Sequence, residues 1–201
     1  MGVVVFDKPP YPAGMRMALN SIVVLVWIGL AAPLSADEAE YVQIREGMKK
    51  LAPLVGQWRA AVTFHDEDGI TREEGTYKVS SILDDTYLEL EVERHRPDNP
   101  QRSHKMLTFI TFNPQSKKYD TTFFYSRWAM RVTETGVFDD TAREFRTKAF
   151  IPLEDGVNDE AVRTITSLKD PNTIVHRHYS RRSPKESCEH MDLEIVLTRA
   201  K

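Results

Sequence analysis

Residues 51–58 read Leu51-Ala52-Pro53-Leu54-Val55-Gly56-Gln57-Trp58, and the chain changes character across them. Before them, residues 37–50 are highly charged, with apolar side chains at Tyr41, Ile44 and Met48 that continue in step to Leu51. Spacing of three to four predicts a short amphipathic helix, which Pro53 and Gly56 end. After them the period falls to two. Trp58, Ala60, Val62 and Phe64 alternate with Arg59, Ala61, Thr63 and His65, the pattern of a strand with one apolar face.

That period persists to the end of the chain. Asp66-Glu67-Asp68-Gly69 is a turn by composition, and a second strand runs from about Ile70 to Leu83, with Gly75 read as a bulge candidate. In the third strand Leu88, Leu90 and Val92 oppose Glu89, Glu91 and Glu93. Residues 97–103 read as a polar loop leading to strands over 105–112 and 119–126, joined by Asn113-Pro114-Gln115-Ser116. Strands over 127–137, 144–152, 161–168, 173–180 and 191–199 complete the pattern. About ten strands with hairpin-length links predict an all-β, up-and-down antiparallel meander.

Closing such a sheet into a barrel removes its two exposed edges. With an even strand number, the first and last strands meet antiparallel, and the start of one lies beside the end of the other. Trp58 stands at that start. Arg199 stands at that end, on the face of Leu193, Ile195 and Leu197. A cation on an apolar face needs a partner, and an indole supplies one by stacking.

Ahead of the helix, Ile22–Leu34 is an uncharged run behind Met15-Arg16-Met17. It is short of the roughly 20 apolar residues that span a bilayer, and it exits on Leu34-Ser35-Ala36, as a signal peptide does. The expected organisation is a leader over 1–36 cleaved after Ala36, a helix and lead-in over 37–53 and a barrel over 54–201. Residues 1–14 carry Asp7 and Pro9-Pro10 and suit no leader, so Met15 or Met17 is the expected start. No Cys follows the apolar run to take a lipid. The expected address is outside the cytoplasm, periplasmic or extracellular and bacterial, with no stable membrane insertion. Cys188 is the sole cysteine, so no internal disulfide supports the fold. A formal charge of −3 leaves no electrostatic footprint for nucleic acid.

Gly56-x-Trp58 on the first strand with Arg199 on the last resembles the closing signature of the calycin superfamily, which includes lipocalins and fatty-acid-binding proteins. More narrowly, the chain is similar to a mostly bacterial calycin-like family catalogued as domain of unknown function 1579. The similarity runs from about Lys50 to Lys201. It rests on Leu51-x-x-Leu54-Val55-Gly56-x-Trp58, on residues 112–119 (Phe-Asn-Pro-Gln-Ser-Lys-Lys-Tyr) and on Ile195-Val196-Leu197-Thr198-Arg199. The resemblance implies a barrel with an interior cavity and imports no reaction.

Candidate chemistry is sparse. His176 and His178 flank Arg177, so period two places both imidazoles on one face, roughly 6–7 Å apart at their roots. A metal site needs a third ligand that no sequence feature nominates. Some small calycin-like barrels hold haem through one histidine on a late strand, which keeps haem among the alternatives. Cys188 and His190 share a loop without oxyanion donors and read as bystanders. Between Trp128 and Tyr179 the alternation blurs: Arg131, Thr133, Arg163, Thr164, Thr166, Arg177 and the two histidines interrupt it. A solidly packed barrel shows a clean apolar face on every strand, and a barrel with a polar cavity does not. Tyr125, Trp128, Arg131, His176 and His178 are therefore the candidate cavity residues. The expected occupant is a small apolar or amphipathic ligand, with no cofactor. Two alternatives stand beside it: a hydrolase or haem- or metal-dependent enzyme using the same cavity, and an envelope scaffold with a filled interior.

Overall fold

The computed structural model describes residues 35–126, 128–152, 159–181 and 189–201, apart from the side chains of 102, 128–130, 150–152 and 159–161. Helix α1 spans Ala36–Lys49 and begins on a capping box. The Ser35 hydroxyl accepts from the Glu38 amide, and the Glu38 carboxylate accepts from the Ser35 amide at 2.9 Å. A 3-10 turn over Ala52–Leu54 follows. Then come ten strands: β1 (Gly56–Asp66), β2 (Gly69–Ile82), β3 (Tyr87–Arg96), β4 (Asn99–Asn113), β5 (Lys118–Tyr125), β6 (Trp128–Asp139), β7 (Glu144–Pro152), β8 (Asp159–Asp170), β9 (Thr173–Ser180) and β10 (His190–Arg199).

Each strand pairs antiparallel with its sequence neighbours, and β1 pairs with β10, closing the sheet into a barrel. The expected up-and-down meander is what forms. Register at the seam sets Trp58 opposite Arg199, Ala60 opposite Leu197 and Val62 opposite Ile195, so small and large apolar groups alternate across it.

The opening octapeptide works as a clasp at this seam. Its 3-10 turn leaves carbonyls of residues 53–55 pointing outward, and two side chains collect them. The Trp58 indole donates to the Leu54 carbonyl at 2.8 Å. The Arg199 guanidinium donates across the seam to Pro53 and Val55 and, on its own side, to Pro171 in the β8–β9 turn, all at 3.0–3.2 Å, and it stacks 4.2 Å from the Trp58 ring centre. Gly56 holds φ +139°, and a Cβ there would lie 2.4 Å from an Arg199 nitrogen. Only glycine meets both conditions.

α1 lies across the barrel end where β1 starts. The Tyr119 hydroxyl donates to the Gly47 carbonyl at 2.7 Å, and the Phe112 ring occupies the space where a side chain on residue 47 would sit. Met48, Leu51, Leu54 and Trp58 join the buried core beneath.

Two local expectations fail. Residues 99–103, read as loop, belong to β4, because the register between Arg94 and Arg96 shifts to accommodate a longer partner strand. His104 consequently lies inside β4 and is 2% exposed. Nor is there a bulge at Gly75, which pairs in register with Ala60 and Arg94. Its glycine answers a close approach instead: a Cβ would fall 2.1 Å from the Glu93 carbonyl and 3.0 Å from Arg94 Cγ.

Candidate functional site

Inward side chains enclose a cavity of about 460 Å³. Its floor, toward α1, is apolar: Leu54, Trp58, Val79, Ile110, Phe145, Ile174 and Leu197. At the other end it reaches Asp66, which is exposed.

Above the floor the wall is chemically divided. From β10 through β1 it stays largely apolar, with Leu193, Ile195 and Phe64. From β4 to β9 it carries a belt of hydroxyls and ionisable groups: Thr108, Thr121, Glu134, Thr147, Thr164, Thr166 and His176. Register builds that belt, since Thr121 faces Glu134, Thr147 faces Thr164 and Thr166 faces His176. Hydrogen bonds run along part of it. The Thr147 hydroxyl bridges the Glu134 carboxylate and Thr164, and Thr166 bonds His176 Nδ1 at 2.8 Å. Thr108 and Thr121 hydroxyls are buried without a hydrogen bond.

Titration in this belt follows burial. Desolvation raises the Glu134 carboxyl above its usual range, partly offset by the Thr147 hydrogen bond. His176 is pushed down to about 3, first by desolvation and then by repulsion from His178 and Arg94. The ring is therefore neutral at pH 7. His178 lies 3.7 Å from Asp192, whose position in the cavity wall is set by a register shift in β10.

A second polar group sits on the β2–β4 wall, where sequence reading found nothing. Glu73, Arg94 and His104 are all inward and at most 8% exposed. One Glu73 oxygen lies 3.2 Å from His104 Nε2 and 3.9 Å from Arg94 Nε. The Arg94 guanidinium also stands 5.8 Å from the Phe64 ring centre, and His104 meets Tyr125 edge to face at 5.2 Å. The Tyr77 hydroxyl nearby is buried without a hydrogen bond, and burial raises its pKa, so it stays a donor. The signal for this group was present in the inward phase of β2 and β3: Glu73 and Arg94 continue the faces of Tyr77 and Val92.

Of the five candidates from sequence, the structure brings Tyr125, His176 and His178 to the cavity wall. Trp128 opens β6, and its side chain lies outside the described residues. Arg131 is corrected: it is exposed and pairs with the exposed Phe124, while Val132 and Glu134 are the inward residues of β6. Arg163 and Arg177 also face outward, the first on the Tyr179 ring at 4.3 Å and the second 2.8 Å from Glu194. The blurred alternation thus mixed two causes, outward arginines and an inward polar belt. Cys188 lies outside the described residues. Among the described residues no group of three or more His, Cys, Asp or Glu side chains is arranged to hold a metal, and no helix is long and apolar enough to cross a membrane.

Comparison with known proteins agrees with this architecture. A family model described as a protein of unknown function (DUF1579) matches residues 45–199. No curated protein matches the chain. Among solved structures, Rv2717c from M. tuberculosis is 12% identical with a TM-score of 0.60, the match covering 79% of this chain and 99% of that one. The S-type phycobiliprotein lyase CPES from Guillardia theta is 11% identical with a TM-score of 0.54, covering 81% and 97%. At such identities these likenesses concern the fold, which is a calycin-like barrel. The chain belongs to the DUF1579 family.

Proposed function

We propose that this DUF1579 family member is an exported barrel that binds a small, partly apolar molecule in its interior. One observation carries the reading: a cavity of about 460 Å³ with an apolar floor and a polar belt. Ligand sites commonly measure about 300–1,000 Å³ and combine an apolar lining with a few convergent polar groups. A filled scaffold would have no use for Thr108 and Thr121 hydroxyls held without partners, because each such group costs about 1–3 kcal/mol. Tyr125, His176 and His178 are the contacts proposed from the earlier candidates. Neutral His176 suits an uncharged or hydrogen-bonding part of the ligand. A lyase acting on phycobiliproteins shares the architecture, so the fold is compatible with chemistry as well as with carriage.

Export rests on the basic and apolar leader character of residues 15–36, with the helix and lead-in over 37–53 and the barrel over 54–201 forming the mature protein. N-terminal sequencing of protein recovered from the envelope or medium should begin near Asp37. Finding Ile22–Leu34 still attached would refute cleavage.

For the ligand, the test is native mass spectrometry with an absorbance scan on protein purified from its own host. The expected result is a discrete mass excess from one small organic molecule, released on denaturation. Bare protein that also fails to take up a neutral apolar dye such as Nile red would overturn the binding reading.

A further inference from the structure

We propose that the outer wall over β4 and β5 is a homodimer contact, on which a second copy of this chain packs about a two-fold axis running between those strands. The contact uses the outside of the barrel and is independent of what the cavity holds.

Strand phase lays the face out. Met106, Thr108, Ile110, Thr121 and Phe123 line the cavity, so Leu107, Phe109, Thr111, Asp120, Thr122 and Phe124 point outward. Phe124 is 43% exposed, and Leu107 and Phe109 beside it are half-buried. Of the six, Asp120 alone is charged, and Asn113 donates to it at 3.3 Å. Protein interfaces have such centres, poor in charge and rich in aromatic side chains. One exposed phenylalanine is ordinary by itself, so the charges on either side decide the occupant.

Register arranges those charges. One row across β3 to β6 reads Glu91, Leu107, Phe124, Arg131, each opposite the next. An acid and a base thus stand three strand spacings apart, about 14 Å, with two apolar side chains between them. The row is complementary to itself read backwards. A two-fold axis along the strands sets Glu91 against the partner's Arg131 and Leu107 against the partner's Phe124. The next row, Glu89, Phe109, Thr122, Thr133, folds onto itself without meeting a like charge. Both end groups are available. Lys78 holds one Glu91 oxygen and leaves the other. Arg131 is exposed and makes no ion pair among the described residues, whereas Arg146, Arg163 and Arg177 on the outer wall each have a carboxylate.

Shape agrees with this order of residues. A barrel wall is convex, so two copies touch along the line between β4 and β5 and fall away on both sides. Compact apolar groups occupy the line, and the long side chains of Glu91 and Arg131 stand where a gap must be bridged. A partner of one sign, such as nucleic acid or an anionic membrane, would be repelled at the Glu91 end. A contact this narrow lies below the size of permanent interfaces, and a reversible dimer with Kd of about 1–100 μM is expected.

Sedimentation equilibrium over a concentration series tests this, with circular dichroism to show that each variant is folded. Wild-type protein should pass from monomer to dimer as concentration rises. Phe124→Ser should weaken the dimer about tenfold or more, with the thermal midpoint little changed because the ring is outside the core. Glu91→Arg and Arg131→Glu should each weaken it by about tenfold, since each places like charges together twice in the symmetric contact. Mixing those two single variants should restore association, because the mixed pair sets opposite charges together at both positions. The variant carrying both substitutions should dimerise as the wild type does. Wild-type protein that stays monomeric at about 0.5 mM, well above that Kd range, would overturn the proposal. So would a dimer indifferent to Phe124→Ser, or single variants that associate no better mixed than alone.

Discussion

Replacing Trp58 by alanine tests the clasp that closes the barrel. Trp58 is 1% exposed, and its ring is packed between the core and the Arg199 guanidinium. Truncating a buried aromatic to alanine costs about 3–5 kcal/mol. Loss of the indole donor to Leu54 adds about 1 kcal/mol. For a domain of this size about 1 kcal/mol lowers Tm by roughly 2–4 °C, so a fall of about 10–20 °C is expected in calorimetry. Arg199→Ala should cost less, about 2–3 kcal/mol, because the carbonyls of Pro53, Val55 and Pro171 can regain water. The two side chains share one contact, so the double variant should be more stable than the summed losses predict, by about 1 kcal/mol in urea titrations. Strict additivity, or a Tm drop under about 5 °C for Trp58→Ala, would mean that the stacked pair does not hold the seam.

Gly75→Ala should destabilise by about 1–3 kcal/mol, since its Cβ meets the Glu93 carbonyl at 2.1 Å and backbone must move; an unchanged urea midpoint would contradict the close approach. Tyr119→Phe removes the donor that ties β5 to the Gly47 carbonyl, and a loss of about 1 kcal/mol with faster amide exchange in α1 is expected. Acid should weaken the fold through His176. Its folded pKa of about 3 lies below the ordinary 6.5, so between those values the unfolded chain binds the extra proton. Stability is then complete above pH 6.5 and falls by about 2 kcal/mol from pH 7 to pH 5. Glu134, shifted upward, acts with the opposite sign above 4.5 and is common to both chains compared. His176→Gln should flatten the slope, and an unaltered slope would show that the ring is not desolvated.

Sequence by itself determined the barrel. Alternation of period two needs only local geometry to place every second side chain inside, and an even strand count sets Trp58 beside Arg199 before any contact is known. Turn composition sufficed to bound β7 and β9, whose flanking residues favour reversal. Sequence also indicated that the late strands line a polar interior, although it assigned Arg131 to the wrong face. Adjacent polar residues on one strand look alike until the register chooses a phase. Only the tertiary structure decided that Glu134 and not Arg131 faces inward, because pairing with Thr121 sets that phase.

The same holds, more strongly, for the Glu73, Arg94 and His104 group. These residues lie on three strands and meet only through the β2–β3 and β3–β4 registers. The shift between Arg94 and Arg96 that carries residues 99–103 into β4, beyond His104, has no local signature, since those residues are polar enough to read as loop. Whether the barrel is full or hollow depends on side-chain volumes summed around a closed ring, and a sum over ten strands cannot be read from any one of them.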